Sequence, residues 1–168
     1  MITVPFIRSR HQRFVSVLAS VLLLVSIGSP VLAQDESGSE STVLQTIELQ
    51  GTEQRTIAGE NILNDVIVRD SSQLSLEQDP VTGALSSVDG NALGFNSARI
   101  FITHSRIAGN VNASEDSIIV LLQSAVDGNI EVNGNGIVAI GPQTVVSGDI
   151  EGVFLGTDVD GYAIYVGQ

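Results

Sequence analysis

Apolar and polar positions recur along the second half of this chain at a fixed spacing. Ser105-Arg106-Ile107-Ala108-Gly109-Asn110-Val111, Ser124-Ala125-Val126-Asp127-Gly128-Asn129-Ile130 and Thr144-Val145-Val146-Ser147-Gly148-Asp149-Ile150 are near-copies. Their glycines stand 19 and 20 residues apart (128 − 109 and 148 − 128). Two before each glycine stand Ile107, Val126 and Val146, and two after it Val111, Ile130 and Ile150. Further upstream come Ile100-Phe101, Ile119-Val120 and Ala139-Ile140. β-Branched side chains either side of a small, polar pair predict short strands with one face inward. The Gly-Asn or Gly-Asp pair predicts a corner, where glycine adopts a positive φ without steric cost.

A period of this length predicts a solenoid, in which each repeat buries its apolar face only by stacking on the next. The expected fold is all-β: a short single-stranded parallel β-helix with coils of about 19–20 residues, a less regular N-terminal part and a protruding loop. The Asn/Asp slot then forms a polar ladder along one corner. An antiparallel sandwich with regular turns is the competing arrangement. It does not account for matching residues in slot after slot.

The run from Gly136 to Gly152 resembles a coil of the bactofilins, a polymer-forming bacterial cytoskeletal family. It is similar as well to small secreted bacterial proteins with right-handed β-helix repeats. The resemblance spans roughly Arg99 to Gly152 and implies a stacked-coil fold.

Upstream the pattern is weaker. Val43 to Leu49 alternates and predicts a first strand; Asp65 to Val68 and Leu74 to Leu76 predict others. Thr56-Ile57-Ala58-Gly59 matches the glycine motif loosely. Residues 78–97 break the pattern, with turn chemistry in Asp79-Pro80-Val81-Thr82-Gly83 and Asp89-Gly90-Asn91, and predict a loop inserted into the solenoid. Tyr162 to Val166 predicts a closing strand.

The N-terminus changes the picture of location. Arg8, Arg10 and Arg13 precede an apolar run from Phe14 to Ile27, and Val31-Leu32-Ala33 offers small residues for cleavage. This predicts a signal peptide over residues 1–33 and an exported protein: periplasmic, cell-surface or extracellular. The run is shorter than the ~20 residues a membrane span requires, so no transmembrane span is expected after processing. Residues 34–42 read as a flexible acidic lead-in and 43–168 as the β-helix domain. No cysteine is available for disulfides or lipidation.

Processing sharpens the charge. Seven arginines and no lysines face 19 acids in the whole chain. Three arginines lie in the signal, leaving 4 − 19 = −15. Nucleic acid is excluded as an expected partner, because binding it requires cationic groups on phosphates. Acidity of this kind also keeps a β protein soluble.

Candidate chemistry is sparse. Glu131 and Glu151 share the slot three after the glycine, with Asp149 beside them. Carboxylates on adjacent coils repel one another or recruit a cation, so Glu131, Asp149 and Glu151 form a candidate calcium site. They supply only part of the six to eight oxygens Ca²⁺ takes. Thr157-Asp158-Val159-Asp160-Gly161 resembles a fragment of a calcium loop. His104, near Ser105 and Asp116, shares a slot with Gln123 and Gln143 and reads as a polar strand-end residue. No catalytic residue and no obligatory cofactor are expected. The expected function is therefore a non-catalytic exported structural protein, self-associating through its open coil ends or contacting a cell surface or polysaccharide. A soluble cation- or glycan-binding module is the alternative. A polysaccharide-active enzyme is a weaker reading, given the short chain and the lack of a basic catalytic cluster.

Overall fold

The computed structural model describes residues 43–168. The expected signal peptide (1–33) and acidic lead-in (34–42) lie outside the described residues. Among the described residues there is no helix, and so none long and apolar enough to cross a membrane.

The chain winds into six coils. The first carries β1 (Val43–Leu44), β2 (Ile47–Leu49) and β3 (Gln54–Ala58). The second carries β4 (Asn61–Ile62), β5 (Val66–Val68) and β6 (Gln73–Glu77), and the third β7 (Ser86–Val88), β8 (Ala92–Gly94) and β9 (Arg99–Thr103). The fourth has β10 (Ser105–Ile107), β11 (Val111–Ala113) and β12 (Ile118–Leu122). The fifth has β13 (Ala125–Val126), β14 (Ile130–Val132) and β15 (Ile137–Ile140). The last has β16 (Val145–Val146), β17 (Ile150–Glu151) and a hairpin of β18 (Val153–Thr157) and β19 (Ala163–Val166).

Strands in equivalent positions pair in parallel, giving three sheets along the stack. The first sheet runs β1-β4-β7-β10-β13-β16, and the second runs β2-β5-β8-β11-β14-β17. The third runs β3-β6-β9-β12-β15 and ends in β19 and β18, both added antiparallel. This is the parallel β-helix the repeat predicts.

Register measures each coil. Along the second sheet, Ile47 pairs with Val66 (19 residues on), Val66 with Ala92 (26), Ala92 with Val111 (19), Val111 with Ile130 (19) and Ile130 with Ile150 (20). The one long coil holds seven extra residues (26 − 19), housed between β6 and β7 at residues 78–85. The protruding loop is therefore narrower than the expected 78–97, since β7 and β8 lie within that range and pair in full register. Val43 to Leu49 also differs from expectation. It is two strands with Gln45-Thr46 turning between them.

The core is a column of aliphatic side chains. Ile62, Val88, Ile107 and Val126 stack from the first sheet, Val66, Val111 and Ile130 from the second, and Leu74, Ile100, Ile119 and Val138 from the third. Each is at most 1% exposed. Burying such a side chain contributes about 1.5–3 kcal/mol.

The corner glycines do a different job from the one their identity suggests. Gly109, Gly128 and Gly148 are absent from the positive-φ residues. They are required by closeness: a Cβ on Gly128 would sit 2.5 Å from the Gly109 carbonyl oxygen, and one on Gly109 2.5 Å from that of Gly90. The left-handed corners are elsewhere. His104, Gln123 and Gln143 take φ of 47°, 49° and 60° between the third and first sheets; Asp70, Asn96, Glu115 and Gly134 do so between the second and third.

Candidate functional site

The polar ladder is built from Asp65, Asn91, Asn110, Asn129 and Asp149. The Asn91 N–H donates to Asp65 Oδ1 (2.7 Å), Asn110 N–H to Asn91 Oδ1 (2.8 Å), Asn129 N–H to Asn110 Oδ1 (2.8 Å) and Asp149 N–H to Asn129 Oδ1 (3.0 Å). Each side-chain oxygen satisfies a backbone donor that the turning chain would leave unpaired. Asp149 ends this ladder, and that placement bears on the calcium candidate. Glu131 and Glu151 are register partners on β14 and β17, so the structure brings them together as expected. Glu131 also accepts from Asn112 Nδ2 at 2.9 Å. Among the described residues, however, no group of three or more His, Cys, Asp or Glu is arranged to hold a metal ion. Asp149 belongs to the corner, separated from Glu151 by the inward-turned Ile150.

The other candidates resolve into turns. Asp158 Oδ1 accepts from the Asp160 N–H (3.0 Å) and the Tyr162 N–H (2.9 Å), so the stretch resembling a calcium loop is the tight turn joining β18 to β19. Burial of the ring, with the charges of Asp158 and Asp160, raises the Tyr162 hydroxyl above its ordinary value. His104 is exposed at its left-handed corner. The Ser105 hydroxyl donates to the Thr103 carbonyl (2.8 Å) and is thus committed to the backbone. Asp116 lies at the opposite end of the five-residue strands of the third sheet. These three residues do not form a nucleophile–base–acid relay.

The protruding loop closes on itself. Asp79 Oδ1 accepts from the N–H groups of Val81 (2.7 Å) and Thr82 (3.0 Å), and Gln78 Nε2 donates to the Gly83 carbonyl (2.7 Å). The Thr82 and then the Val81 amide hold the Asp79 carboxyl below its ordinary value. Val81, at the tip, is 91% exposed.

One surface was not anticipated from the sequence. Phe101, Ala139 and Ile164 are buried, yet stand apart from the core cluster. Register explains why. Phe101 pairs with Val120, Val120 with Ala139, and Ala139 with Ile164, in a single row on the outer face of the third sheet. The row beside it runs Ile118, Ile137, Val166 and Val153. The signal was present in Ile100-Phe101-Ile102, Ile118-Ile119-Val120-Leu121-Leu122 and Ile137-Val138-Ala139-Ile140. A strand apolar at consecutive positions, rather than alternate ones, is apolar on both faces.

No family model, curated protein or solved structure matches the chain.

Proposed function

We propose that this chain is an exported, non-catalytic β-helix protein acting as a structural component, through self-association or attachment at a cell surface. The observation that carries this reading is the stack of parallel coils, which ends in a last strand, β18, with Phe154 and Leu155 54% and 45% exposed, on a chain that is otherwise strongly acidic. Exposed apolar surface grouped at one place marks an interaction site. The stack offers it on a rigid scaffold, and the bactofilin-like repeat is consistent with assembly. The test is a concentration series in light scattering. A mass that rises with concentration is expected. A single-chain mass throughout, with no retention on the cells that export it, overturns the reading.

The Glu131–Glu151 register pair favours a second reading, a cation-binding module. Two carboxylates about one strand spacing apart, ~4.8 Å, gain from a shared divalent ion. On this reading, millimolar Ca²⁺ raises the melting temperature by about 2 °C more than NaCl at equal ionic strength. Glu151→Gln removes that increment and raises stability without the metal. Equal responses to the two salts would mark simple screening and sink the cation reading.

A further inference from the structure

Asn133-Gly134 and Asn135-Gly136 stand in tandem at the corner between β14 and β15. An asparagine amide before glycine is open to attack by the next backbone nitrogen, because glycine puts no Cβ in the way. The two copies share that chemistry. They differ in how the fold holds them.

Asn133, Gly134 and Asn135 are exposed, and Gly136 is buried. The Gly134 N–H donates to the carbonyl of exposed Gln168 at 3.2 Å, beyond the end of β19. Space around Gly134 is open: an added Cβ would find nothing nearer than the Glu115 nitrogen at 3.7 Å. Gly136 is held differently. Its N–H donates to the Asn133 carbonyl (3.0 Å), inside the same turn, and an added Cβ would run into the Ala113 carbonyl of the fourth coil. That carbonyl accepts the Asn133 N–H at 2.9 Å. Freeing the Gly134 nitrogen therefore takes only a local opening at Gln168. Freeing the Gly136 nitrogen takes the corner off the fourth coil.

We propose that Asn133 is a site of spontaneous deamidation in the folded protein, and that Asn135, with the same dipeptide, is protected. The Gly134 nitrogen gives up its proton to solvent and attacks Asn133 Cγ. The N–Cγ bond forms, the Cγ–Nδ2 bond breaks, and the amide leaves as ammonia with a proton from solvent. Water then opens the cyclic imide. Addition at Cγ leaves aspartate. Addition at the Asn133 main-chain carbonyl carbon leaves isoaspartate, with the chain now running through Cβ and Cγ. Water is the only co-reactant, and nothing is oxidised or reduced. The inference does not depend on the self-association reading.

Isoaspartate lengthens the backbone of this corner by one carbon, and Gly167 is packed directly against it. A Cβ on Gly167 would overlap the Asn133 carbonyl carbon. The Gly167 N–H donates to the Gly136 carbonyl (3.1 Å), a second tie between this segment and the corner. A longer backbone at Asn133 pushes Gly167 away. That loosens the end of β19, the strand that joins β18 to the stack.

The test is to age the purified protein at mildly alkaline pH, folded and in urea. Peptide mass spectrometry with electron-transfer fragmentation then places each converted residue and separates isoaspartate from aspartate. In urea the two asparagines should convert at similar rates. In the folded protein Asn133 should convert about tenfold faster than Asn135. A chain stopped after Val166 lacks the Gln168 carbonyl. Its Asn133 should convert about fivefold faster still, the factor one hydrogen bond carries, with Asn135 unchanged. Hydrogen exchange gives the consequence: the Gly167 amide should lose protection in the aged protein. It should keep protection in Asn133→Asp, which gains the charge without the added carbon. Equal rates at the two asparagines in the folded protein, or no conversion of Asn133 while the urea sample converts both, overturns the proposal. An unchanged Asn133 rate in the shortened chain, or a matching rise at Asn135, overturns Gln168 as the gate.

Discussion

Val126→Asp is expected to strip the protein of a large part of its stability, lowering its denaturation midpoint far below that of the unsubstituted chain. Val126 is 1% exposed and stands in the inward row of the first sheet, paired with Ile107 on one side and Val146 on the other. Its environment is aliphatic on the coils above and below. The substitution removes apolar burial worth about 1.5–3 kcal/mol. It also leaves a carboxyl with no partner, which costs a further several kcal/mol whether it stays charged or binds a proton. The sum, roughly 4 kcal/mol or more, is a large part of the 5–15 kcal/mol that holds a typical domain together. A repeat stack makes this worse, because coils on both sides depend on the same interface. The neighbouring residue supplies the control. Ala125 is half-buried, points the other way, and is the register partner of Arg106. Ala125→Asp should change stability by no more than about 0.5 kcal/mol. Chemical denaturation of the two variants is the measurement. Similar midpoints would show that inward and outward positions on β13 are wrongly assigned.

The regular coils were legible because the same chemistry recurs in each slot. The third coil carries the same signature: Val88-Asp89-Gly90-Asn91 matches Val126-Asp127-Gly128-Asn129 residue for residue. It was hidden by the seven residues inserted before it, which break the period without disturbing the register. Thr56-Ile57-Ala58-Gly59 misled in the opposite direction. Ile57 belongs to the third sheet, where it pairs with Leu76, and Gly59 has the left-handed φ of 71° that Gly109 and Gly128 lack. An apolar residue two before a glycine is common to both corners, so local spacing does not separate them. The second coil diverged because its neighbour allows it. Three residues, Leu63 to Asp65, turn over a first-coil corner of only two, Gln45 and Thr46. Asn64 therefore keeps a side chain where later coils require glycine.

The candidate site was legible in part for a related reason. Sequence distance of one coil places Glu131 beside Glu151 with no further assumption, because parallel register is all that is needed. Which side chains leave the corner together is a matter of backbone direction at Asp149, and that is fixed by its bond to Asn129. The outer face of the third sheet depends on which of two consecutive apolar residues turns inward, and a run such as Ile118 to Leu122 is compatible with either choice.

Gly128→Ala should cost about 3 kcal/mol, an effect far larger than its size suggests. The methyl group would meet the Gly109 carbonyl oxygen at 2.5 Å. That oxygen cannot retreat, because it accepts the Gly128 N–H at 3.2 Å, while the Gly109 N–H is bonded to Gly90 at 2.9 Å. Relief requires the fourth and fifth coils to separate at this corner, which stretches the adjacent bond from the Asn129 N–H to Asn110 Oδ1. Strain passes to the next coil in turn, since Gly148 stands over Gly128 as Gly128 stands over Gly109. Gly134→Ala separates crowding from backbone conformation. Gly134 has a φ of 56°, and an added Cβ would find its nearest neighbour, the Glu115 backbone nitrogen, at 3.7 Å. Its cost is about 1 kcal/mol, from the left-handed backbone alone, and Glu115 already adopts the same conformation one coil earlier. The measurement is the denaturation midpoint of each variant. If Gly134→Ala proves as damaging as Gly128→Ala, the corner glycines serve φ and not the close approach of coils.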